Sequence, residues 1–65
     1  MQPHQERVLL EKVELDQKLT KLTTFIQGGT YQLLPAEEQV RLNKQARIMK
    51  DYSTVLAERI AAFPA

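Results

Sequence analysis

Gly28 and Gly29 are the only glycines in this 65-residue chain, and they divide it into two apolar-periodic segments of nearly equal length. Before the pair, Val8, Leu15, Leu19, Leu22 and Ile26 recur at steps of seven, four, three and four. After it, Leu42, Ala46, Met49, Ser53, Leu56, Ile60 and Phe63 step by four and three without a slip. Such steps lay side chains along one face of an α-helix. Two helices joined by a glycine-bearing connection make an antiparallel hairpin. The expected fold is therefore all-α, one domain over residues 1–65, with helices at about 3–27 and 35–63.

Local signals set these boundaries. Pro3 suits a first helical turn, where its missing amide hydrogen costs nothing. Thr20, Thr23 and Thr24 weaken helix propensity towards the far end, and Gly28, alone or with Gly29, is expected to supply a left-handed C-terminal cap. Thr30 to Leu34 form the connection, with Tyr31, Leu33 and Leu34 expected to fold over the closed end. Pro35 is expected at the first position of the second helix, where Glu37 and Glu38 complement the positive helix end. Pro64 stops that helix. Each helix of ~25 residues is roughly 38 Å long.

A chain this short buries only ~60% of the surface its unfolded form exposes, so small domains recruit disulfides, metals or partner subunits. There is no cysteine and one histidine, His4. Disulfides, thiolate metal sites and multi-histidine sites are thereby excluded, and self-association remains. Both helices also carry more apolar residues than one seam needs: Ile48, Tyr52 and Val55 in the second, Leu9, Leu10 and Val13 in the first. These surplus rows either close a homo-oligomer or offer a groove to a different protein.

Nine basic and eight acidic residues leave a net charge of +1, which does not describe a general polyanion binder. Arg41, Lys44, Arg47 and Lys50 wander half-way round the helix at ~300° per step of three, so a nucleic-acid stripe is disfavoured. Apolar runs of three or four residues fit neither a membrane span nor a signal peptide, and a soluble, cytoplasmic protein is expected. His4 lies in the terminal turn away from Ser53, and Glu11, Glu14 and Asp16 do not share a tight face. Neither a nucleophile–base pair nor a carboxylate metal site follows, so no enzyme and no cofactor are expected.

Antiparallel pairing gathers His4, Arg7 and Glu11 at the open end with Tyr52 and Arg59. This cluster reads in two ways. It is either a set of salt bridges and a tyrosine hydroxyl bond fixing the hairpin register, or a polar pocket with guanidinium groups for phosphates and a ring for base stacking. Lys18 falls opposite Gln45 and Met49, as a packed stem with a solvated ammonium or as a phosphate-binding group at a subunit junction.

Two segments, HQERVLLEKVELDQKLTKLTTFI and QARIMKDYSTVLAERIAAF, resemble small helical-hairpin proteins encoded by bacteriophages and prophages. Those are similar in turn to the hairpin domain of phage anti-CBASS and Thoeris anti-defence sponges. The resemblance implies a compact homo-oligomer that sequesters a nucleotide immune signal, a cyclic ADP-ribose isomer or cyclic oligonucleotide, without cleaving it. It implies a tyrosine ring and basic side chains at a junction between protomers: Tyr52 stacking on a base, and Arg7, Lys18 and Arg59 on phosphates. Gln5, Glu11 and Gln45 are then candidates for base or ribose hydrogen bonds, with His4 beside them. The competing function is a helical adaptor that binds and inhibits a host protein.

Overall fold

At the amino terminus Gln2 is extended, with ψ of 148°, and the chain turns helical at Pro3. The computed structural model, which describes residues 1–64, places α1 at Pro3–Ile26, a short α2 at Gly29–Gln32 and α3 at Ala36–Ala61. The start of α1 is closed by a reach-back bond: the Gln2 amide donates to Gln5 Oε1 at 2.9 Å. This satisfies a donor that the helix itself leaves without a partner. Pro35, with ψ of 146°, is the cap of α3 rather than its first residue. Its carbonyl accepts from the Glu38 and Gln39 amides at 3.0 and 3.1 Å.

The connection differs from expectation in three respects. No described glycine has a positive φ. Helix α1 ends instead on Gln27 in a right-handed conformation, with Gly28 extended at φ −91° and ψ 170°. The intervening residues are not a plain loop but one helical turn, α2. Of the three residues expected to fold over the closed end, Tyr31 and Leu34 are half-buried, whereas Leu33 points outward at 85% exposed. The physical reason is a polar tie across the turn. The Tyr31 hydroxyl bonds the Gln39 carbonyl at 3.2 Å and accepts from the Asn43 amide, and Gln39 Nε2 donates to the Leu34 carbonyl at 3.0 Å. Bonds between the connection and the first turns of α3 set the loop shape, so no left-handed residue is required.

The long helices α1 and α3 lie side by side in a rod of 48 × 14 × 13 Å. The seam on α3 comprises the seven expected positions, Leu42 to Phe63, every one buried or half-buried. On α1 it comprises Gln5, Val8, Lys12, Leu15, Leu19, Leu22 and Ile26, again all buried or half-buried. Leu56 is completely enclosed and Val8 is 6% exposed; the other apolar seam residues keep some contact with water. One level of the seam is polar. Ser53 Oγ donates to Asp16 Oδ1 at 2.5 Å, and Lys12 Nζ donates to Asp16 Oδ2 at 2.7 Å and to Ser53 Oγ at 3.0 Å.

A candidate functional site on one face of the hairpin

Helix geometry decides which predicted residues can act together. At ~100° per residue, Arg41, Gln45, Ile48, Tyr52, Val55 and Arg59 form one row along α3, about 90° from the seam. Arg7, Glu11, Glu14 and Lys18 form the matching row on α1, also about 90° from its seam. The helices are right-handed and antiparallel, so both rows face the same side of the rod. Helix axes that pack directly lie ~8–10 Å apart. The result is a long face with Arg7 and Arg59 at the open end, Tyr52 level with Glu14, and Lys18 level with Ile48.

Of the eight residues expected in the site, six lie in these rows: Arg7, Glu11, Lys18, Gln45, Tyr52 and Arg59. His4 is exposed at the open end, on the same side of the seam. Gln5 is set apart, because it is buried on the other flank with its Oε1 engaged by the Gln2 amide. Among the described residues, the ion pairs are Lys12–Asp16 and Glu38–Arg41. Arg7, Glu11, Lys18, Tyr52 and Arg59 take part in no side-chain hydrogen bond or ion pair with other described residues. The salt-bridged cluster that would fix the register is thus not formed by these side chains. Their donors face solvent, where a ligand can reach them.

The same face carries the surplus apolar row. Ile48 is 56%, Tyr52 43% and Val55 48% exposed, in a line flanked by Arg59 and Gln45. A shallow groove of about 270 Å³ runs along α3 between Arg41, Lys44, Gln45, Ile48 and Met49. The larger groove, about 720 Å³, lies on α1 beside Val13, Asp16, Gln17, Thr20 and Lys21, away from both rows. Neither encloses a small molecule. Ligand sites ordinarily bury ~70–90% of their occupant, and a rod 14 Å thick has no interior to do so. Enclosure on this protein requires a second surface laid against the first.

Arg41 and Lys44 border the α3 groove, while Arg47 lines a separate concavity with Val40, Asn43 and Lys44. Arg41 and Arg47 therefore do not share one groove. Among the described residues no group of three acidic or histidine side chains is placed to hold a metal ion. Among the described residues no helix is long and apolar enough to cross a membrane. The Lys12–Asp16–Ser53 layer lies outside the expected site residues. Its signal was present: Lys12 interrupts the apolar run between Val8 and Leu15, and Ser53 interrupts that between Met49 and Leu56.

The family comparison bears on what such a face is for. No curated protein and no solved structure is significantly similar to this chain. The Sequestin family model matches residues 2–62, which takes in α1, the connection, α3 and both rows. The hairpin belongs to the Sequestin family.

Proposed function

We propose that this protein is a phage anti-defence sponge: it binds a nucleotide immune signal and withholds it, without cleavage, in the cytoplasm of the infected cell. Membership of a family named for sequestration is the observation that carries the proposal. The candidate ligands are cyclic ADP-ribose isomers and cyclic oligonucleotides, the signals of Thoeris and CBASS defence. The face supports this chemistry. Arg7, Lys18 and Arg59 offer uncommitted cationic donors for phosphate oxygens, and the half-exposed Tyr52 ring offers a stacking surface. Glu11 and Gln45 supply acceptors and donors for base or ribose edges, with His4 nearest the open end.

Enclosure comes from self-association. Pairing the apolar rows of two or more hairpins through Ile48 and Val55 leaves the Tyr52 ring, which lies nearer the α1 row, at the margin of the contact, and turns the open faces into clefts between subunits. Calorimetric and thermal-shift titrations against cyclic ADP-ribose isomers, cyclic dinucleotides and cyclic trinucleotides test the proposal. One of these ligands should raise the melting temperature and be recovered intact after denaturation. Tyr52→Ala should weaken binding at least tenfold while circular dichroism stays helical. Absence of binding to every member of the panel at high micromolar concentration would rule the sponge out. Capture of one defined host protein through the Ile48–Tyr52–Val55 row would then favour the adaptor.

A further inference from the structure

The seam repeats so regularly that the apolar positions alone do not choose one alignment of α1 against α3. Counted outward at helical spacing from the Lys12–Ser53 bond, Val8 falls level with Leu56, Leu15 with Met49, Leu19 with Ala46 and Leu22 with Leu42. Sliding α3 by one heptad, ~10 Å along the axis, brings Leu15 level with Leu42 and Val8 level with Met49. Apolar side chains again meet apolar side chains. That alternative hairpin turns at Gly28–Gly29, the two residues best suited to a tight bend. In the structure the turn is instead centred beyond them, between α2 and Pro35.

The two alignments differ at the polar layer. Each helix has one polar position in the middle of its apolar stripe, Lys12 on α1 and Ser53 on α3, and in the observed alignment the two meet. Asp16, one turn beyond Lys12, completes the group by accepting from both. After a one-heptad slide, Lys12 would stand against Ala46 and Ser53 against Gln5, so the two bonds between the helices would be lost and only the Lys12–Asp16 bond within α1 would remain. Lys12 and Asp16 keep 27% and 43% of their side-chain surface exposed, so water offsets part of the loss. The preference rests on the two cross-helix bonds that only the observed alignment makes. Single polar positions in helical seams are known to select register at some cost in stability.

We infer that Lys12, Asp16 and Ser53 form a register clamp, which selects the observed alignment over the heptad-shifted one. This inference stands on the geometry of the seam and is independent of the proposed ligand. Its consequence reaches the candidate face: only in the clamped alignment do Arg7 and Arg59 lie together, with Lys18 one turn from Tyr52.

The chain lacks cysteine, so pairs of introduced thiols report alignment directly. Leu9→Cys with Ala57→Cys marks the observed register on one flank of the rod, and Leu9→Cys with Lys50→Cys marks the shifted one. Short bis-maleimide cross-linking within one chain should favour the first pair at least tenfold in the native seam. Replacing the layer by Lys12→Leu with Ser53→Ala should leave the helical circular dichroism intact and raise the shifted cross-link to parity with the native one. Moving the hydroxyl one heptad, by Ala46→Ser with Ser53→Ala, should tilt the ratio towards the shifted pair. An unchanged native preference in both variants would overturn the inference and assign the register to the connection alone. Loss of helicity in the apolar-seam variant would also overturn it, because the layer would then supply stability rather than choice.

Discussion

Truncating Leu56 to alanine removes the one large side chain among the described residues that the hairpin encloses completely. Loss of a buried leucine costs its transfer energy plus the cavity left behind, about 2–5 kcal/mol. A single small domain has only a few kcal/mol in reserve. Leu56→Ala should therefore abolish cooperative unfolding in urea at room temperature, whereas Leu33→Ala, at the outward-pointing tip, should leave the midpoint unchanged. Asp16 gives a prediction of another kind. Hydrogen bonds from Lys12 and Ser53 hold its carboxyl below the ordinary value of 3.8, with the Lys12 charge adding to them and desolvation opposing. A carboxylate lowered in the folded state contributes stability that is complete above its unfolded value and is lost as pH falls through the folded one. Acid titration followed by circular dichroism should show the seam weakening only below about pH 4. Asp16→Asn should remove that acid-dependent component while leaving the neutral-pH spectrum helical.

At the scale of the elements, the connection offers a test that separates two views of the glycines. A left-handed cap at Gly28 would make alanine there strongly unfavourable, as non-glycine residues resist positive φ. The observed backbone has no positive φ among the described glycines. A Cβ on Gly29 would meet nothing within 4 Å, and one on Gly28 would touch only backbone carbonyls, the nearest being that of Phe25 at 3.4 Å. Gly29→Ala, at the first position of α2, should raise stability by about 0.4–1 kcal/mol by restricting the unfolded chain. Gly28→Ala should be near neutral, and both effects are read from urea midpoints. The helices themselves were legible because a 3–4 repeat survives any detail of packing, and every expected α3 seam position is covered. The turn was not, since it depends on Tyr31, Gln39 and Asn43, whose bonds join residues up to twelve apart and leave no periodic trace. Asp16 was hidden for a similar reason. It lies beside the stripe rather than in it, and its role exists only once Ser53 is brought opposite.

For the molecule as a whole, the balance of covered and uncovered apolar surface bears on how the hairpin exists in solution. One leucine is fully enclosed, while Leu10, Val13, Val40, Ile48, Tyr52 and Val55 keep about half or more of their surface in water. Moving Ile48 and Val55 from water into a contact between subunits would contribute roughly 1–2 kcal/mol each, a sizeable share of the few kcal/mol that a small domain holds in reserve. Folding and assembly should then be linked by mass action. The melting temperature should rise with protein concentration, and sedimentation at micromolar concentration should show a species larger than 7.5 kDa. Ile48→Glu with Val55→Glu places two carboxylates in the row without touching the seam. That variant should sediment as a single chain, melt independently of concentration and lose nucleotide binding together with assembly. A wild-type protein that melts at one temperature across a hundredfold dilution, as a folded single chain, would remove the clefts on which the proposed sequestration depends. The Sequestin match and the seam would stand, but the exposed row would then have to serve a partner other than a second copy.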